Sequence, residues 1–204
     1  MPARLRPESS RFHHMVPEHM ATCQWVDFPI EMVFAFFANP YNLPSLMSPD
    51  LKTKIESLKL APASPVALGV DLPNPRKAVS AGTGSEIELS FRPIPAMPLR
   101  IRWMTRVTEF AWNSHFCDVQ IRGPFARFRH RHGFKFEPRN GSAGTLLTDD
   151  IEYSMPFGPL GRIAGATVRA QMEQAFAARQ DRLPILLMAI AQSSYGLNQS
   201  ISSA

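Results

Sequence analysis

Cysteine is scarce in this chain of 204 residues, with only Cys23 and Cys117 present. Two isolated thiols without metal-ligand spacing are expected to be reduced, buried and housed in a reducing compartment. Long apolar runs are missing too. The longest, Leu183–Ala191, contains Pro184 and is far too short to span a bilayer. The N-terminus carries arginines but no apolar segment like that of a signal peptide. A cytoplasmic protein with no membrane insertion is the expectation. No G-x-S-x-G elbow is present, which removes support for Ser/His/Asp catalysis. Gly82-Thr83-Gly84-Ser85 does not run on into a lysine and a helix, so it is not a phosphate loop. The net charge of +5 is basic. However, Arg100, Arg102, Arg106, Arg129, Arg131 and Lys135 recur mostly at every second residue, as on the solvated face of a sheet. No nucleic-acid motif accompanies them, and no nucleic-acid partner is expected.

What the chain does contain is enough apolar residue, 45%, to bury a core in a single domain. Residues 1–17 lack periodicity and read as a mobile arm. His19–Val26 suits a first strand. Pro29 opens a helix with Ile30, Val33, Phe34 and Phe37 on one face, and Asn39-Pro40 ends it. A second short helix follows around Tyr41–Met47. After a strand near Leu51–Leu60, residues 61–82 form a long proline-rich excursion, a lid or partner surface if it is functional. Strands are then expected near residues 87–91, 100–110, 115–122, 128–136 and 145–155. A helical pattern with Ile163, Val168, Met172 and Phe176 on one face reaches about Leu183, where Pro184 kinks or restarts it. Residues 18–190 are the domain, and 191–204 read as a disordered tail. The predicted fold class is α+β, with one long helix across a curved antiparallel sheet that Gly123-Pro124 would bend or bulge.

Residues 123–136 hold the most informative pattern. Phe128, His130, His132, Phe134 and Phe136 share one parity, while Arg129, Arg131 and Lys135 hold the other. Side chains alternate between the faces of a strand, so one face is basic and wet and the other aromatic with two imidazoles. Buried imidazoles need partners. The same parity argument on neighbouring strands offers Phe116, Asp118 and Gln120, and then Thr145, Leu147, Asp149, Ile151 and Tyr153. Three uses compete: a structural hydrogen-bond network, the polar end of an apolar ligand pocket, and acid–base catalysis by His130 or His132 with Asp118 or Asp149. A metal at His130-x-His132 is a fourth. The run with Gly123, Glu137 and Gly144 is similar to a first cupin motif, yet Glu137 has the wrong parity and no third histidine follows. No metal and no cofactor are expected.

The element order, together with several short motifs, resembles the helix-grip fold of the START/polyketide-cyclase (SRPBCC) superfamily, in its bacterial ligand-binding branch. The matching pieces are Phe36–Leu43, Gly84–Ile87, Trp103, Phe116–Gln120, Gly123–Phe125, His130–His132, Thr148–Tyr153 and Gly158–Gly161. The resemblance implies about seven strands wrapped around the C-terminal helix, two short helices after the first strand, and a cavity for a small hydrophobic molecule. Ligand-binding candidates are then Trp103, Phe116, Asp118, Gln120, Phe128, His130, His132, Phe134, Asp149 and Tyr153. If the protein is an enzyme, cyclase/dehydratase-like chemistry would fall to His130, His132 and Asp118. A protein-interaction module using residues 61–82 is the remaining alternative.

Overall fold

A computed structural model of the chain describes residues 17–63, 79–94, 98–156 and 158–202. The expected arm, apart from Pro17, and residues 64–78 of the 61–82 excursion lie outside the described residues. The elements are β1 (Glu18–Val26), α1 (Ile30–Ala38), α2 (Leu43–Leu46), β2 (Lys54–Lys59), β3 (Glu86–Phe91), β4 (Ile101–Ala111), β5 (His115–Arg122), β6 (Arg127–Arg139), β7 (Ser142–Ser154) and α3 (Gly158–Ser202). They form one seven-stranded sheet in the order β1-β7-β6-β5-β4-β3-β2, antiparallel throughout. Strands β2 to β7 run as a meander, and β1 returns beside β7. The fold is α+β with helix-grip architecture: α3 packs along β1, α1 and α2. No described helix is long and apolar enough to cross a membrane.

Local chemistry accounts for the connections. The Pro29 carbonyl accepts the Val33 N–H at 3.1 Å and starts α1. Asn39 leaves the helix in an extended conformation, and its side chain accepts from the Tyr41 N–H. Asn140 and Gly141 both have positive φ, 51° and 81°, and lie between the paired residues Arg139 and Ser142. Such two-residue Asn-Gly turns match the twist of a hairpin. Gly123-Pro124 is not a bulge within a strand but part of the β5–β6 connection. The ladder irregularities fall in β2 at Ile55/Ser57, in β5, where Ile121 is the extra residue opposite Met104/Thr105, and in β4 at Val107/Glu109. Beyond the last of these, Phe110 rather than Glu109 packs against the core around Phe34.

The main core lies under α1, where Phe34 is fully buried among Phe110, Trp112, Phe116 and Phe134 with ring centroids 5.0–6.1 Å away. Edge-to-face contacts dominate, the geometry that ring quadrupoles favour. A second cluster holds Met20, Phe128, Ile151 and Tyr153, with Trp103, Phe125, Met172 and Phe176 against it. Phe136, expected with the inward aromatics, is 53% exposed because it sits near the hairpin end of β6. The opposite face is less basic than its sequence suggests. Arg129 meets Glu109 and Glu152, Arg106 meets Glu86, and Arg102 meets Glu88 across the strands.

Helix α3 does not stop or restart at Pro184 but runs through it, and on through residues 191–202 where a tail was expected. Proline cannot donate to the carbonyl four residues back, which here is Gln180. That carbonyl is taken instead by Gln24 Nε2 of β1 at 2.7 Å, while Gln180 Nε2 donates to the Cys23 carbonyl at 3.2 Å. The missing helix bond becomes a clip between α3 and the edge strand.

Two stability measurements follow. Phe34→Ala removes the centre of the aromatic core and is expected to cost about 3–5 kcal/mol in chemical denaturation. Gln24→Leu strands the Gln180 carbonyl and is expected to cost about 1–3 kcal/mol. In a Pro184→Ala background, where an N–H returns to that carbonyl, the same change should cost less than half as much. Equal costs in both backgrounds would refute the clip.

Candidate functional site

The register of three strands assembles the site. Asp118 of β5 lies opposite His130 of β6, and Phe116 opposite His132. On the other side His132 lies opposite Asp149 of β7, and Phe128 opposite Tyr153. All share the inner face, so the alternating pattern brings the histidines and both aspartates together. Asp149 is the centre and is only 3% exposed. Its Oδ1 meets His130 Nε2 at 2.9 Å and His132 Nδ1 at 3.0 Å. Arg179 of α3 donates from Nη1 to the same oxygen at 3.0 Å and from Nη2 to Oδ2. Thr22 of β1 donates to Oδ2 at 3.3 Å.

The two imidazole rings lie 3.8 Å apart, and Phe116 stacks on His132 at 4.3 Å. The Arg179 guanidinium sits 4.5 Å from the Phe176 ring centre and 5.5 Å from that of Phe37, a placement that lets a cation rest on aromatic faces. His132 Nε2 is 3.7 Å from Asp118 Oδ1, beyond hydrogen-bond length.

These contacts push the titrations apart. Burial would raise the Asp149 pKa, but the bonds from His130 and His132, and then the Arg179 charge, hold it well below the usual carboxylate range. Burial, followed by the charge of His132, lowers the His130 pKa. Burial acts on His132 as well, yet Asp118 and Asp149 on either side outweigh it and raise its pKa. The pair therefore consists of one imidazole that resists a proton and one that keeps it.

Around this centre the inner face is apolar and incompletely covered. Trp103 packs edge-on against Phe128 at 4.7 Å and near Phe125 at 5.9 Å. Its buried indole N–H has no acceptor among the described residues. Trp103, Phe116, Asp118 and Gln120 all remain partly accessible. They lie on β4 and β5, away from β1, along which α3 packs. The inner face is therefore partly accessible on the β4–β5 side. A concavity of about 330 Å³ lies across β1 and β7, lined by Thr22 and Asp149 of this centre together with Cys23, Arg131, Thr148 and Asp150.

Not every expected companion joins the histidines. Gln120 braces the β5–β6 connection, donating to the Phe125 carbonyl at 2.7 Å and accepting from its N–H. Tyr153 donates to Glu18 Oε2 at 2.8 Å. Phe134 lies in the core against Phe34 and Phe37. Conversely, the sequence reading missed Thr22 and Arg179. Arg179 had a visible signal: Met172, Phe176, Arg179 and Leu183 recur at helical spacing, and a cation within an apolar stripe calls for a buried anion.

Breaking the Asp149–Arg179 pair should therefore be costly. Arg179→Met is expected to lose about 3–5 kcal/mol by leaving a buried charge short of its partner. Combining it with Asp149→Asn should cost clearly less than the two single changes added, as a double-mutant cycle will show. Tyr153 offers a titration. Burial, then the bond to Glu18, pushes its pKa from 10.0 to about 12. The neutral phenol is favoured in the fold, so this contribution is complete below pH 10 and vanishes as pH rises to about 12. Absorbance of the folded protein should show one tyrosine ionising near the upper limit, absent in Tyr153→Phe.

Neither family models nor curated proteins give a match to the sequence. Solved structures do match. An aromatase/cyclase from Streptomyces sp. R1128 superposes with a TM-score of 0.59 at 11% identity, covering 85% of this chain and 94% of that one. A protein from Thermus thermophilus gives 0.56 at 18% identity, over 85% and 99%. Norcoclaurine synthase from Thalictrum flavum, in complex with dopamine and hydroxybenzaldehyde, gives 0.54 at 13% identity, over 85% and 88%. At these identities the likeness is one of fold. The chain shares the helix-grip fold of these structures.

Proposed function

We propose that the protein binds a small, largely hydrophobic molecule in the groove between the inner sheet face and α3. Its apolar body would lie against Trp103, Phe116, Phe128 and Phe176, and its polar end would meet Asp118 and the His130/His132 pair. One observation carries this reading. The buried indole N–H of Trp103 lacks an acceptor on the same apolar face as the partly accessible Asp118, whose carboxylate lies 3.7 Å from His132 Nε2. A network serving only to hold the fold would satisfy its own polar groups. The Asp149 carboxylate is fully engaged, whereas the Trp103 indole N–H is left without an acceptor among the described residues. Sites with apolar walls and a few convergent polar groups suit small ligands. The likeness to norcoclaurine synthase, solved with two small aromatic molecules, supports the same use of the fold.

Native mass spectrometry of freshly purified protein should reveal a co-purifying small molecule or, after addition of a panel of hydroxylated aromatics, a one-to-one complex. Trp103→Ala should weaken that complex at least tenfold while the fold persists by circular dichroism. An unliganded spectrum across the whole panel, with Trp103 fluorescence unmoved, would defeat the proposal.

A cyclase- or dehydratase-like activity is the second reading, and the divergent histidine titrations favour it. Adjacent groups pushed apart in pKa can serve as acid and base. It predicts that His130→Ala keeps its fold and its ligand but loses turnover of that ligand.

A further inference from the structure

The expectation of no metal rested on the sequence spacing of His130-x-His132, which supplied no third ligand along the chain. Strand pairing supplies one from the side. Asp118, His130 and His132 each offer a ligand atom, and these atoms lie within 4.8 Å of one another. We propose that Asp118, His130 and His132 form a binding site for one divalent first-row transition ion, of the zinc or cobalt type, at the floor of the groove.

Three features support this independently of any organic ligand. The first is a distance. His132 Nε2 and Asp118 Oδ1 are 3.7 Å apart, too far to hydrogen-bond. Two ligands bound to one tetrahedral ion at ordinary zinc distances lie roughly 3.3 Å apart. For this pair, closing around an ion asks for a shift of only a few tenths of an ångström, and the His130 ligand atom lies within 4.8 Å of both.

The second is orientation. Each imidazole already places one nitrogen on Asp149, His130 through Nε2 and His132 through Nδ1. A carboxylate holding the far nitrogen of a ligating histidine fixes its tautomer and makes the free nitrogen a better donor. This leaves His130 Nδ1 and His132 Nε2 as the free ring nitrogens. Third is the charge balance. Arg179, the cation nearest this centre, is bound to both oxygens of Asp149 and so largely cancels that carboxylate. Asp118 remains the anion for the incoming ion, and a mixed set of two nitrogens and one oxygen suits borderline metals over calcium or magnesium. Three protein ligands leave a fourth position for water or for a polar atom of a groove-bound molecule.

The test uses the full chain, stripped with a chelator and titrated with Co²⁺ and then Zn²⁺. One Co²⁺ per chain should bind and develop the visible absorption of a low-symmetry nitrogen/oxygen site, and Zn²⁺ should abolish that absorption stoichiometrically. Asp118→Asn should weaken binding at least tenfold, and Asp149→Asn by about 10–100-fold through the orienting bonds. Imidazole nitrogen shifts in the wild-type protein keep the test valid if either variant fails to fold. Both the His130 and His132 signals should move on adding Zn²⁺. Binding that survives Asp118→Asn unchanged would place the ion elsewhere, for example at His13-His14, and overturn the proposal. So would unmoved imidazole signals or no uptake at stoichiometric metal.

Discussion

A single buried carboxylate organises this molecule. Asp149 lies on β7, and its two oxygens receive Thr22 from β1, the histidines of β6 and Arg179 from α3. Hence the edge strand, the centre of the sheet and the long helix converge on one side chain. Unpaired, such a charge would be prohibitive in a protein interior; fully paired, it allows only one arrangement of the elements that pair it. The surrounding aromatics remain adaptable, because Phe and Trp can repack at modest cost. The position of α3 over the sheet is therefore fixed less by its apolar stripe, which would tolerate sliding, than by this polar junction.

The same junction divides the inner face into two parts with different tasks. On the α1 side, Phe34, Phe37 and Phe134 fill the space as an ordinary core. On the β4–β5 side, Trp103 and Asp118 are left partly open, and the Trp103 indole N–H has no acceptor among the described residues. Between them stand the two histidines, held on one edge by Asp149 and facing Asp118 on the other. Whether the groove takes an organic molecule, an ion or both, its chemistry is set at this boundary. The wall is apolar, and the floor offers nitrogen and carboxylate donors whose orientation costs nothing further on binding.

Much of this was legible in the sequence, for a definite reason. Period-two alternation survives in a strand whatever its neighbours do, so Phe128, His130, His132 and Phe134 could be assigned to one face, and Asp149 to the matching face of its own strand. Pairing then brought Asp118 and Asp149 to the histidines. Gln120 and Tyr153 shared the parity but not the neighbourhood, since parity gives the face of a residue and not its height along the sheet. Gln120 lies at the β5–β6 connection and Tyr153 near Glu18. Phe136 failed for the same reason, being close to the hairpin turn. Arg179 needed a different kind of inference, because a helix docks on a sheet through tertiary packing that no local period encodes.

The rotation and height of α3 that bring Arg179 to Asp149 are also held by the clip at Pro184. A helix advances 1.5 Å and turns about 100° per residue, so a slip of one residue would carry the guanidinium off the carboxylate altogether. The proline frees the Gln180 carbonyl, which Gln24 then captures, and Gln180 returns a bond to the backbone of Cys23. Gln180 is the next residue after Arg179, so the clip constrains the helix one position from the charge it must deliver. Without the proline, the Gln180 carbonyl would be engaged within the helix and β1 would lose its hold. A residue that local rules assign to the end of a helix thus serves here to register the helix on the sheet, and the polar centre of the groove depends on that registration.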